Sequence, residues 1–145
     1  MRPYRFEDRV RERPLLQIAD MRQFFPQFRY CPAGGGTVEW RGTLQPTESS
    51  PVYTVRILHQ VWRHPRVWVL DPPLVMGPPH VYRSDDNALC LYFPAEWRWT
   101  SNERLAATIV PWTALWLYYY EAWLVTGDWI GPSSHREPTA KESAA

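Results

Sequence analysis

The residues that could do chemistry in this chain gather in one stretch, Pro79 to Trp99, with the sequence PHVYRSDDNALCLYFPAEWRW. Cys90 is one of two cysteines among 145 residues, and it follows His80 by ten positions. A thiolate is both a good nucleophile and a good leaving group. A cysteine can therefore hold an acyl group as a thioester and release it to an amine with no further energy input. Asp85, Asp86 and Asn87 are expected at the surface, whereas Leu89, Leu91 and Phe93 are apolar. Cys90 thus falls where a reachable loop passes into packed structure, and a nucleophile needs to be both accessible and held. The apolar flanks equally fit a packed core thiol, since cysteine behaves as a small hydrophobe. Asp85 and Asp86 could attract or deprotonate an incoming lysine amine, or simply solvate a turn.

Other chemistries find less support. A Cys-His hydrolase would need His80, His59, His64 or His135 as its base, but no protease signature flanks either cysteine. The two cysteines and four scattered histidines lack ligand spacing, so neither a metal nor a cofactor is expected. Gly34 to Gly36 is not followed by Lys-Ser/Thr and opens no helix, which excludes a phosphate-binding loop. The charged start MRPYRFEDRVRERP does not read as a secretory leader. The expected compartment is therefore the reducing cytoplasm, with Cys31 and Cys90 as free thiols. The net charge is +1 and the arginines are scattered between carboxylates, so no nucleic-acid partner is expected. Lys141 is the single lysine. Codon bias explains this, or else a thioester carrier that keeps amines away from its own site.

The elements that must position this stretch follow from periodicity and turn chemistry. Residues 1–13 read as a flexible arm, 14–131 as one domain and 132–145 as a disordered tail. Pro14 to Phe25 has apolar residues at helical spacing and a proline in its first turn. Cys31 to Gly36 reads as a loop. Val38 to Leu44, Val52 to Leu58 and Val67 to Leu70 alternate or run apolar between short turns, which predicts an antiparallel meander. Leu74 to Cys90 is rich in proline and polar turn residues and is expected to be a long ordered loop. Thr100 and Glu103 have capping-box spacing, which predicts a helix over Asn102 to Ile109, followed by another from Pro111 to a stop at Gly127. Leu105 to Thr126 runs 22 residues with one charge, Glu121, and is long enough to span a bilayer. Pro111, Glu121 and the aromatic residues through its centre argue instead for a buried core helix and no membrane partner. The expected class is α+β, with an N-terminal helix, an antiparallel meander, an active-site loop and C-terminal helices.

Taken in order, the helix, the WRGTL, YTVRI and VWVLDPP strands, His80, Cys90-Leu91, a tryptophan and a long helix resemble the ubiquitin-conjugating enzyme fold, from about Pro14 to Gly127. In that family a proline-rich turn leads to a His-Pro-Asn motif, with the active cysteine ten residues after the histidine in many members. His80, Cys90 and Leu91 match this pattern, and Trp97 or Trp99 resembles the tryptophan that follows. Val81 and Tyr82 stand where the family has proline and asparagine. That asparagine is credited with steadying the loop or an oxyanion. Tyr82 has one hydroxyl donor for either task. His80 could act as a base or as a structural residue that satisfies backbone groups. The resemblance thus implies Cys90, His80 and Tyr82 as the catalytic set.

The second half, with PHVY, ALCLYFP and TIVPWTALWLYYYEAWLVTGDW, resembles the ubiquitin-conjugating-like proteins of prokaryotic anti-phage operons, including the cyclic-oligonucleotide-based signalling systems (CBASS). The resemblance implies that Cys90 carries the C-terminus of a cyclic-GMP-AMP-synthase-like (cGAS-like) nucleotidyltransferase, or of a ubiquitin-like protein, and passes it to an amine. Either a separate activating enzyme loads it or the system is of the short type that lacks one. The alternative is a non-catalytic scaffold of the same fold that binds the nucleotidyltransferase through its aromatic C-terminal helix and tail.

Overall fold

A computed structural model describes residues 14–60, 63–92, 97–100 and 103–131. The expected arm at 1–13, tail at 132–145 and helix start at Asn102 lie outside the described residues. The chain forms helix α1 (Pro14–Phe24), strands β1 (Arg29–Pro32), β2 (Thr37–Leu44), β3 (Tyr53–Gln60) and β4 (Arg66–Asp71), and a short ribbon of β5 (Val81–Tyr82) and β6 (Ala88–Leu89). Helix α2 (Ile109–Thr126) closes the fold. The class is α+β: a four-stranded antiparallel sheet in the order β1-β2-β3-β4, one helix before it and one after it in sequence, and a two-stranded ribbon.

The alternation in β2 and β3 sets the sheet's two faces. Val38, Trp40 and Leu44 of β2 and Tyr53, Val55 and Ile57 of β3 point inward and are buried. Gly42 belongs to the same inward face because the Phe28 ring lies where a side chain would be, 2.5 Å from an added Cβ. The meander has a fourth strand that the sequence reading leaves as loop. Arg29 to Pro32 pairs with Val38 to Arg41, and Gly34, Gly35 and Gly36, all at positive φ, make the turn between them. Only glycine adopts three successive left-handed conformations cheaply, so the glycine run serves a hairpin.

Helix α1 buries Met21 and the polar Gln17, while Leu15 and Leu16 are exposed. Gln17 is matched on both sides: it donates to the Glu103 carbonyl at 2.9 Å and accepts the Leu105 N–H at 3.1 Å. Arg104 closes on Asp20 with bonds of 2.9 and 2.6 Å. These contacts fix the approach to α2. Leu105 to Thr108 forms turns rather than the expected separate helix, and Val110 N–H reaches back to the Leu105 carbonyl. Leu105 and Ala106 are buried there.

Helix α2 buries Ile109, Val110, Thr113, Trp116, Leu117 and Tyr120, which share one face at helical spacing. The expectation of a helix buried all round is corrected, since Leu115, Tyr118, Leu124 and Val125 are exposed. Its single charge, Glu121, accepts a bond from Ser50 Oγ at 2.8 Å, which ties the β2–β3 turn to the helix. Gly127 ends α2 at φ 78, its N–H donating to the Trp123 carbonyl. No described helix is long and apolar enough to cross a membrane.

Candidate functional site

Cys90 follows β6 directly, and its position is set by backbone rather than by side-chain chemistry. Part of the segment expected as a long ordered loop folds into the β5–β6 ribbon, with Val81 opposite Leu89 and Tyr82 opposite Ala88. The turn between them runs through a short 3-10 segment, Arg83–Asp85, and then Asp86 and Asn87 at φ 51 and 62. Asp and Asn tolerate the left-handed region better than other side-chain-bearing residues. The acidic turn therefore has a conformational reason for its composition.

Asp85 is half-buried rather than fully solvated. Arg66 of β4 pairs with its carboxylate at 3.3 Å, and Trp68 Nε1–H donates to its carbonyl at 2.9 Å. The turn is thereby fastened to the edge of the main sheet. Asp86 remains exposed.

His80 contributes its backbone to the site. It sits at φ 56, and its carbonyl accepts two hydrogen bonds: Cys90 N–H at 2.9 Å and Trp116 Nε1–H of α2 at 3.0 Å. Its ring packs on Trp129 with centroids 4.8 Å apart, and Trp129 in turn packs on Trp116 at 5.3 Å. A single carbonyl thus holds the cysteine backbone to the core helix. The proline-rich approach is latched nearby, where Val75 N–H donates to the Tyr120 hydroxyl at 2.9 Å.

The thiol is buried, with 4% of its residue surface exposed, and Cys31 is exposed in β1; both are free. Cys90 Sγ donates toward the Tyr82 hydroxyl at 3.5 Å and toward the Tyr92 carbonyl at 3.6 Å. Burial pushes the thiol pKa up, and the Tyr82 hydrogen bond opposes that by favouring the thiolate. Burial likewise raises the Tyr82 phenol above its ordinary value and pushes Tyr92 up to about 12. Both phenols are therefore protonated donors wherever a cysteine titrates. The Tyr92 hydroxyl is buried without a hydrogen-bond partner among the described residues, near the rings of Trp97 and Trp112. An unmatched buried hydroxyl costs about 1–3 kcal/mol.

A cavity of about 790 Å³ lies next to this segment, lined by Tyr82, Tyr92, Leu89 and Leu91 on the site's side, Trp97 and Trp99 on another, and Arg66 and Asp85 at the sheet edge; Cys90 itself does not line it. Tyr82 and Tyr92, the residues that contact Sγ, are shared between the thiol and the cavity. Of the residues named from sequence, Cys90 and Tyr82 meet through side chains, while His80 meets Cys90 through its main chain. Tyr92, Trp116 and Trp129 were not singled out from sequence. The two-residue spacing from Cys90 to Tyr92 was the one readable hint among them. Among the described residues, His59, His64 and Cys31 make no hydrogen bond to the Cys90 thiol, and no three His, Cys, Asp or Glu side chains form a metal-holding group.

No curated protein matches the chain. A protein-family model described as "Type II CBASS E2 protein" matches residues 17–136, which spans all of β1 to β6 and α2 and includes Cys90.

Proposed function

Because the chain belongs to the type II CBASS E2 family, we propose that it is a conjugating enzyme of anti-phage defence in which Cys90 carries the C-terminus of a partner protein as a thioester. The fold we assign to it is the ubiquitin-conjugating-like one. The carried protein is a cGAS-like nucleotidyltransferase or a ubiquitin-like protein, and the acceptor is an amine. The observation that carries this reading is the placement of Cys90, bonded through its backbone to the His80 carbonyl and through its sulfur to Tyr82, which itself lines a cavity of about 790 Å³.

The chemistry balances in two steps. A free carboxylate does not acylate a thiol, so the acyl group must arrive activated. The Cys90 thiolate attacks its carbonyl carbon; the C–S bond forms and the activating group leaves. In the second step an amine attacks the same carbon, the C–N bond forms, the C–S bond breaks and the thiolate departs while the amine loses a proton to solvent. The Tyr82 hydroxyl lies 3.5 Å from the sulfur and can stabilise the thiolate on either side of the exchange. His80 is a positioning residue, since its contact with Cys90 is through a carbonyl, which is neither acid nor base.

The burial of Cys90 favours a second reading, a scaffold of the same fold whose thiol only packs. The two part company in an adduct assay with the co-expressed operon partner. The enzyme gives a species on non-reducing gels that thiol removes, with the crosslink mapped to Cys90. Cys90→Ser gives an ester resistant to thiol and labile to base, or no adduct. An adduct that survives Cys90→Ala unchanged would leave only the scaffold.

A further inference from the structure

Strand register collects on the outer face of the sheet a charge that the linear sequence disperses. Arg29 of β1 lies directly opposite Arg41 of β2, and Arg41 directly opposite Arg56 of β3. Arg56 in turn lies opposite Trp68 of β4, with Leu58 opposite Arg66. Trp40 and Ile57 point inward, so these arginines share the outward face. Adjacent strands are about 4.8 Å apart, which puts three arginines within about 10 Å across the sheet. Like charges in directly opposed cross-strand positions destabilise a sheet. The row therefore calls for counter-charge.

The protein supplies only part of it. Glu39 accepts from Arg41 at 3.2 Å and also from Arg56. Arg56 and Arg66 stack on the Trp68 ring at 4.9 and 5.3 Å, and Arg66 pairs with Asp85. Asp71 stands at the far end of β4, opposite Thr54. Arg29 is exposed and makes no ion pair among the described residues, and Arg41 keeps 55% of its side chain exposed.

We propose that this arginine row docks an acidic segment of a partner protein, whose carboxylates pair with Arg29 and Arg41. Charge decides among the occupants. A second copy would set one cationic face against another. The chain's own ends do not serve, because residues 1–13 carry Arg2, Arg5, Arg9, Arg11 and Arg13 against Glu7, Asp8 and Glu12, and residues 132–145 are likewise mixed. Nucleic acid fits less well, because a net charge of +1 and a row only three strands wide offer little to a run of phosphates, and Glu39 stands in its midst. A guanidinium fork matches a carboxylate in two parallel bonds, which suits a short acidic segment. The docking does not use the thiol and is independent of acyl transfer at Cys90.

The test is fluorescence anisotropy of a labelled decaglutamate peptide with the full chain, alongside decaglutamine and a single-stranded oligonucleotide of equal length. Decaglutamate is expected to bind, more weakly as salt rises, and decaglutamine not to bind. Arg29→Glu should weaken binding about fivefold, the loss of one exposed pair plus the repulsion that replaces it. Arg22→Glu, an exposed position on α1 with the same change of charge, should leave it within about twofold. Melting temperatures of both variants confirm that they fold. Failure of decaglutamate to bind, equal loss in the two variants, or tighter and Arg29-dependent binding of the oligonucleotide would each overturn the proposal.

Discussion

Replacing Tyr82 by Phe removes one oxygen from the site and tests what sets the state of the thiol. Cys90 Sγ lies 3.5 Å from the Tyr82 hydroxyl. With the thiol neutral, S–H donates to the phenol oxygen. With the thiolate, the hydroxyl turns to donate to sulfur, and this second arrangement is the one that opposes the upward push of burial. The Tyr82 phenol is itself raised by burial, so it retains the proton it must donate. A hydrogen bond to a charged group is worth about 1.5–3 kcal/mol, and at this long separation about 1 kcal/mol is the working figure. That corresponds to about fivefold less thiolate at a given pH below the midpoint. Peptide-resolved alkylation with iodoacetamide across pH, read by mass spectrometry, measures it directly, with exposed Cys31 reporting the reagent's potency. The Cys90 midpoint should lie above that of an ordinary thiol and should rise further in Tyr82→Phe, while the Cys31 curve stays in place. A midpoint that is unchanged or lower in the variant would refute the reasoning, because it would mean that the hydroxyl does not stabilise the thiolate.

Two further outcomes follow from the same geometry. His80→Asn keeps the carbonyl and suits the left-handed backbone at φ 56, so adduct formation at Cys90 should stay within about threefold of wild type. A loss of tenfold or more, together with a missing inflection in the pH–rate profile, would mean that the imidazole takes part. His59 is buried beside Trp99, and desolvation lowers its pKa from 6.5 to about 4. The folded state therefore excludes a proton that the unfolded chain binds. Stability from this residue is complete above pH 6.5 and is lost as pH falls toward about 4. Urea melts should show wild type losing about 2–3 kcal/mol more than His59→Phe between pH 7 and pH 4.5. Equal losses in the two proteins would dismiss His59 as the source.

What could be read in the sequence was what depends on local alternation. Trp40, Val55 and Ile57 declare the inward face of β2 and β3 through period two, and Gly127 declares the end of α2 because only a residue free of Cβ strain ends a helix so readily. The missed strand, β1, is four residues long and its residues are all exposed, so it has no apolar alternation to show. Its existence depends on a partner strand and on three glycines that read equally well as loop. The β5–β6 ribbon escaped for a similar reason, being two residues on each side of a turn. In α1, hydrophobicity pointed to Leu15 and Leu16, whereas the buried position went to Gln17, because two backbone groups before α2 needed a side chain able both to donate and to accept.

The site divides along the same line. Cys90 was named from residue type and its place in the sequence, and Tyr82 from the family resemblance. What holds them is legible in neither: the His80 carbonyl, the Trp116 indole and the Trp129 ring belong to residues up to 49 positions apart, and the bond that matters most at His80 uses an atom every residue possesses. An imidazole ten residues before a cysteine invites an acid–base role. The contact described between that residue and Cys90 runs through its carbonyl, and the test at His80 asks whether the imidazole is needed as well. The arginine row shows the converse error. Arg29, Arg41, Arg56 and Arg66 are spread over 38 positions of sequence between carboxylates, so counting charge along the chain finds no patch. Antiparallel register folds that length back on itself three times and brings the four arginines onto one face. A net charge near zero therefore constrains the whole molecule but not any one of its faces, and the partner such a face recognises has to be sought from register.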